Sequence, residues 1–178
     1  MAAASVTRVV RRCDEANTDN KLDLSSCELT SFPVAVYQLL RNTEVLSCSL
    51  NSNLLKFLPK RLCAQFPHLQ ELSLSGNQLH SLPAELQQLQ QLKSLDVSHN
   101  SFSNFPEVVF QLTGLVTFNV SNNAIVAVDA ERLSGMQALT HVDLRENPLA
   151  EAVHNSVQLL SRPRVSTTPW EEHFQDME

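Results

Sequence analysis

The chain has no run of about 20 consecutive apolar residues, so nothing in it reads as a helix that crosses a bilayer. Its start, MAAASVTRVVRRCDEA, lacks the apolar stretch of about 7–15 residues that directs secretion. That predicts a cytoplasmic protein, with the nucleus also open to it. Three arginines precede the first acid, as they do in organelle transit peptides, but Asp14 and Glu15 follow at once. No block of Lys and Arg occurs and the formal net charge is −6, so a nucleic-acid partner is not expected. Cys13, Cys27, Cys48 and Cys63 have neither C-x-x-C pairing nor adjacent histidines, which argues against a zinc site or a disulfide framework and for reduced thiols. A nucleophile elbow of the G-x-S-x-G type and a glycine-rich phosphate loop are both missing. No metal, cofactor or catalytic residue is expected.

What is present is a repeat. Residues 69–83 read LQELSLSGNQLHSLP, with leucine at 69, 72, 74, 79 and 82. An amphipathic helix would carry apolar residues at i, i+3, i+4 and i+7, which this spacing abandons after its first residues. The same pattern returns as LKSLDVSHNSFSNFP at 92–106, LVTFNVSNNAIVAV at 115–128 and LTHVDLRENPLAEA at 139–152. Upstream lie VLSCSLNSNLLKFLP at 45–59 and a shortened first copy, LDLSSCELTSFP, at 22–33. Aligned on the fourth position, the copies place Leu22, Cys48, Leu72, Leu95, Phe118 and Val142 at intervals of 23–26 residues. Around positions 3 to 7 the side chains alternate with the period of two that a strand requires. Positions 4 and 6 then face a core. Position 11 (Leu29, Leu55, Leu79, Phe102, Ile125, Leu149) and the returning segment fill it from the other side.

The pattern L-x-x-L-x-L-x-x-(N/C)-x-L resembles the leucine-rich repeat over about residues 19–153. The resemblance implies an α/β solenoid of about six repeats. A curved parallel sheet forms its concave face, and short helical or 3-10 turns form its convex face. It also implies that Asn53, Asn77, Asn100, Asn123 and Asn147 at position 9, with Cys27 in the first copy, form a buried polar ladder that satisfies backbone groups at the turn. The returning segments FPVAVYQLL, LPKRLCAQF, LPAELQQLQ and FPEVVFQLT resemble those of intracellular members of the family. In them Val36, Leu62, Leu86, Val109 and Leu133 should face inward, followed one turn later by Leu39, Phe66, Leu89, Leu112 and Met136.

The ends divide the chain further. Residues 1–18 are expected to form a capping helix that starts at Ser5 and turns Val6, Val9, Val10 and Cys13 toward the first repeat. Residues 154–178 should form the C-terminal cap, RPRVSTTP being a linker open to kinases and TPWEEHFQDME a short amphipathic helix. Thr168 and Glu171 have the spacing of a capping box, with Pro169 at the first helical position, so a phosphate on Thr168 would strengthen that helix.

Two surfaces are candidates for a protein partner. Positions 3, 5, 7 and 8 line the concave sheet as a Ser- and Asn-rich, mildly acidic floor. Its recognition residues gather toward repeats four to six as Glu71, Asp96, His99, Asn119, His141, Asp143 and Arg145. The alternative is the C-terminal helix, where Trp170, Phe174 and Met177 share one face at i, i+4 and i+7 and could dock on a partner. Tyr37, Leu40, Val108 and Phe110 are further apolar residues of the convex side. The residue types of a hydrolase triad do occur on the floor, but an open sheet offers no pocket to assemble one. The reading is a non-catalytic, monomeric interaction module.

Overall fold

The structure, a computed structural model, describes residues 3–169. Seven three-residue strands form one parallel sheet in chain order: β1 (Lys21–Asp23), β2 (Ser47–Ser49), β3 (Glu71–Ser73), β4 (Ser94–Asp96), β5 (Thr117–Asn119), β6 (His141–Asp143) and β7 (Arg164–Ser166). Leu22, Cys48, Leu72, Leu95, Phe118, Val142 and Val165 stand in register across them. The molecule is the expected solenoid, with one strand more than the repeat count predicts. The stretch read as a linker supplies β7, because Val165 continues the apolar column. Arg164 N–H donates to the Thr140 carbonyl at 2.9 Å and Leu144 N–H to the Ser166 carbonyl at 2.8 Å.

The length of each return decides which helix it forms. The three longer returns carry α-helical turns, α2 (Val34–Leu39), α3 (Lys60–Gln65) and α4 (Ala130–Gly135). The two shortest, which lead from β3 to β4 and from β4 to β5 with a spacing of 23 residues each, carry 3-10 turns at Ala84–Gln88 and Glu107–Gln111. A 3-10 helix rises about 2.0 Å per residue against about 1.5 Å for an α-helix, so it spans the same gap with fewer residues. Pro33, Pro59, Pro83 and Pro106 stand immediately before these turns with φ between −71° and −69°. In the fifth return Asp129 takes that place, and its carboxylate accepts the Arg132 N–H at 3.0 Å. The last helix, α5 (Glu151–Gln158), leads into β7.

Val36, Leu62, Leu86, Val109 and Leu133 are fully buried, as the pattern predicts. One turn later the first repeat departs from it: Leu40 is the buried residue and Leu39 is 38 % exposed. The first return is the longest, which shifts its inward face by one residue. Met136 is half-buried against the core. Of the convex apolar residues, Tyr37 and Leu40 are buried in the core itself. Val108 and Phe110 are half-buried, and the Arg132 guanidinium lies 3.9 Å above the Phe110 ring. They fill the gaps between turns.

The asparagine ladder joins each repeat to the one before it. Asn53 Oδ1 accepts the N–H groups of Cys27 and Leu29, each at 3.0 Å, while its Nδ2 donates to the Leu24 and Leu50 carbonyls, each at 2.9 Å. Asn77, Asn100, Asn123 and Asn147 accept in the same way from Leu55, Leu79, Phe102 and Ile125. The amide therefore serves the N–H groups of the preceding repeat. The first repeat has no predecessor, so Cys27 can stand there without leaving an upstream donor unpaired.

Helix α1 (Ala3–Asp19) begins ahead of Ser5 and covers the open end of β1. Its buried stripe is Val9, Cys13 and Ala16 at i, i+4 and i+7, whereas Val6 and Val10 are 48 % and 40 % exposed. Val10 lies about 100° round the helix from Val9, on the face turned from the repeat, and Val6 lies one turn before the buried stripe begins. Arg12 Nη1 donates to the Asp23 carbonyl at 2.7 Å and the Ser25 carbonyl at 3.1 Å, and Arg8 to the Ser26 carbonyl at 2.8 Å. In later repeats the carbonyls at positions 5 and 7 accept from the repeat before. Here Arg12 takes that role.

Candidate interaction surface on the concave face

The floor of the sheet is set by an accounting of backbone donors. Beyond each strand, the N–H groups of positions 6 and 8 donate to the position 5 and 7 carbonyls of the next repeat, as in Leu74 to Asp96 at 2.7 Å and Gly76 to Ser98 at 3.0 Å. The position 7 N–H is left over, and an unpaired buried donor costs about 1–3 kcal/mol. A short acid or amide at position 5 bends back to take it. Asp23 accepts from Ser25 at 2.9 Å, Asp96 from Ser98 at 2.9 Å, Asn119 from Ser121 at 3.1 Å and Asp143 from Arg145 at 3.1 Å. Where position 5 is Ser73, the Asn51 amide of the preceding repeat reaches Ser75 N–H at 2.8 Å. These residues shape the floor before they can meet a partner.

Position 8 behaves differently from the other three. Ser26, Ser52, Gly76, His99, Asn122 and Glu146 all have positive φ, from 52° to 68°. A left-handed residue here turns the chain out of the strand and aims its N–H along the sheet. Glycine does this without strain, and the other side chains do it at a cost of about 1–2 kcal/mol that the ladder must outweigh. His99 is therefore presented on the rim of the floor rather than in it.

Hydroxyls are bonded across the strands, where Ser75 and Ser98 meet at 2.9 Å, Thr117 donates to Ser94 at 3.0 Å and Ser47 to Glu71 at 3.0 Å, and within a repeat, where Ser121 donates to Asn119 at 2.8 Å. The result is a polar surface many of whose side chains are already hydrogen-bonded to one another. The Ser98 hydroxyl is engaged with Ser75 and the Asp96 carboxylate with a backbone N–H, so the triad residue types are not arranged as a proton relay.

A depression of about 350 Å³ crosses repeats four to six, lined by Ser98, His99, Asn119, Ser121, Asn122, Asp143, Arg145 and Glu146. It brings together four of the seven residues singled out from the sequence: His99, Asn119, Asp143 and Arg145. Glu71 lies one strand beyond it on β3, and Asp96 and His141 lie on the floor beside it. Ser98, Ser121, Asn122 and Glu146 complete its lining, as their positions 7 and 8 on this face imply. Arg145 is less available than its residue type suggests. Its Nε donates to both Asp143 carboxylate oxygens, at 2.9 and 3.1 Å. Burial alone would raise the Asp143 carboxyl; the Arg145 side-chain and backbone hydrogen bonds outweigh it and hold that group below the usual carboxylate value. Trp170, Phe174 and Met177 lie outside the described residues.

Among the described residues no three His, Cys, Asp or Glu side chains converge to hold a metal ion. No helix among them is long and apolar enough to cross a membrane. A family model described as a leucine-rich repeat region matches residues 21–177. The chain belongs to the leucine-rich repeat family. It is 52 % identical over 154 residues to leucine-rich repeat-containing protein 20 of Mus musculus, covering 85 % of this chain and 83 % of that one. With the Homo sapiens protein of the same name it shares 43 % identity over 93 residues, 51 % of this chain and 50 % of that one. Among solved structures, a leucine-rich repeat protein of Leptospira interrogans superposes with a TM-score of 0.59 at 26 % identity, covering 79 % of this chain and 40 % of that one. The leucine-rich repeat domain of APL1B superposes with a TM-score of 0.64 at 19 % identity over 84 % of this chain and 44 % of that one, a likeness of fold alone. Leucine-rich repeat proteins are typically protein-protein interaction modules.

Proposed function

We propose that this chain is a non-catalytic intracellular module that binds another protein through its concave face. The depression over repeats four to six carries the reading. It is polar, its walls are fixed by internal hydrogen bonds, and ordering it on binding costs little side-chain entropy. The partner is a protein rather than nucleic acid, since the chain is acidic and carries no block of Lys and Arg. The module acts as a monomer in the cytoplasm or nucleus. The second candidate contact, through Trp170, Phe174 and Met177, is separated by the same experiment.

The test is capture from cell lysate with quantitative mass spectrometry, using the native chain, His99→Asp/His141→Glu and a chain ending at Pro169. Neither histidine holds a backbone group of the ladder, and ending at Pro169 leaves β7 in place. A partner lost with the double variant and kept by the shortened chain supports the concave face. Loss on shortening alone assigns the contact to the C-terminal residues and overturns the reading, as does a partner indifferent to both changes.

A further inference from the structure

The two ends of the solenoid are closed unequally. At the first repeat α1 covers the core with Val9, Cys13 and Ala16 and the backbone with Arg8 and Arg12. At the last, the described residues supply mainly polar closure. The Thr168 hydroxyl accepts the Glu146 N–H at 2.7 Å, in the place where a further repeat would offer a carbonyl, and donates to the Glu146 carboxylate at 3.2 Å. Gln158 and His154 meet Thr167 at 2.6 and 3.0 Å. Among the described residues no strand lies outside β7. Leu160 and Val165 are half-buried there and Leu159 is 86 % exposed.

A cavity of about 680 Å³ opens on this end between α5 and β7. Val157, Leu160 and Val165 form its apolar wall, and Arg145 and Arg164 its cationic wall. Arg162, also exposed, adjoins it. The chain continues from Pro169 with WEEHFQDME, which holds Glu171, Glu172, Asp176 and Glu178 together with Trp170, Phe174 and Met177. The segment therefore matches the end face twice over, acid against arginine and apolar against apolar, and its attachment beside the cavity makes its effective concentration high.

We propose that residues 170–178 dock on the C-terminal end of the solenoid, with their acids on Arg162 and Arg164 and Trp170 against Leu160 and Val165. Arg145 lines both this cavity and the concave depression, so the docked segment flanks the candidate interaction surface. The inference stands whether or not that surface binds a partner, because it rests on the end face alone.

Trp170 is the chain's single tryptophan and reports its own environment. The experiment compares its fluorescence and acrylamide quenching in the full chain, in a free peptide spanning residues 168–178 and in Arg162→Glu/Arg164→Glu. Emission in the full chain should lie to the blue of the peptide, with weaker quenching. The double reversal should move both toward the peptide while circular dichroism and thermal midpoint still report folded repeats. Arg162→Lys/Arg164→Lys should keep the native signal. A full chain indistinguishable from the peptide overturns the proposal. So does protection that survives the charge reversal, and so does protection that grows with chain concentration, which would assign the contact to a second copy.

Discussion

Replacing Asn53 with alanine should be among the most damaging single changes in the molecule. The side chain is buried, and it alone pairs with the N–H groups of Cys27 and Leu29 at 3.0 Å. Each orphaned N–H costs about 1–3 kcal/mol, so the two together cost about 2–6 kcal/mol. Part of the loss is recovered if water enters, and about 3 kcal/mol is the working expectation. Against a native stability of about 5–15 kcal/mol this is a large fraction. Asn100→Ala orphans one such donor, from Leu79, and should cost roughly half as much. Cys27→Ala orphans none in a preceding repeat and should cost about 1 kcal/mol through lost packing. The assay is urea unfolding with the slope held under watch, together with native-state hydrogen exchange at Cys27 and Leu29, whose amides should open first in Asn53→Ala. The argument makes the order Asn53, then Asn100, then Cys27. If Asn53→Ala costs no more than Cys27→Ala, the amide ladder is not what couples one repeat to the next.

Arg12→Ala should fray the N-terminal end, because the Asp23 and Ser25 carbonyls lose their donor; faster exchange confined to α1 and the first repeat checks this. Asp143 is held below its ordinary value of 3.8, so the stability it contributes is present above that pH and lost as the pH falls through its folded-state value. Asp143→Asn should therefore unfold with less acid dependence between about pH 5 and about pH 2, and an unchanged slope would show that Arg145 does not stabilise the carboxylate. Burial pushes the thiols of Cys13 and Cys63 up to about 11 and that of Cys48 to about 12, so a thiol reagent near neutral pH should label all three no faster than the chain opens. Tyr37 is buried with its hydroxyl unpaired, so Tyr37→Phe should leave stability unchanged or raise it by about 1 kcal/mol, and a clear drop in thermal midpoint would contradict this.

The fold was legible because a parallel solenoid repeats one local problem. Each copy needs two inward residues on the strand, one after the turn and two on the return, and those positions recur along the chain. What was hard to read lies where the repetition ends. Val165 is a lone apolar residue among polar ones, and β7 forms because β6 leaves an edge to be paired rather than because its own sequence demands a strand. The stripe on α1 was displaced for a related reason. A helical wheel contains Val6 and Val10 as well as Val9 and Cys13, and only the position of the first repeat decides which of them find something to touch.

The concave residues were legible by address, and the structure adds an internal duty to them. Period-two alternation puts Asp96, Asn119 and Asp143 on the open face, and exposed polar residues on an open face suggest recognition. Their first use is internal: the left-handed residue at position 8 takes its N–H along the sheet, position 7 is stranded, and a short carbonyl-bearing side chain two residues back repairs it. That relation could have been seen in the sequence, since Asp or Asn at position 5 is the residue type that closes such a turn. Arg145 is similar, its guanidinium already held by Asp143. A partner at this surface therefore meets groups that are in large part already engaged: Arg145 holds both Asp143 oxygens, Ser47 donates to Glu71 and Ser98 N–H takes one Asp96 oxygen, which leaves the second Asp96 oxygen and the histidine rings. Specificity built this way depends on shape and hydrogen-bond direction more than on net charge. It should accordingly be lost through substitutions that disturb the position 5 to position 7 closure, even where the substituted residue never touches the partner.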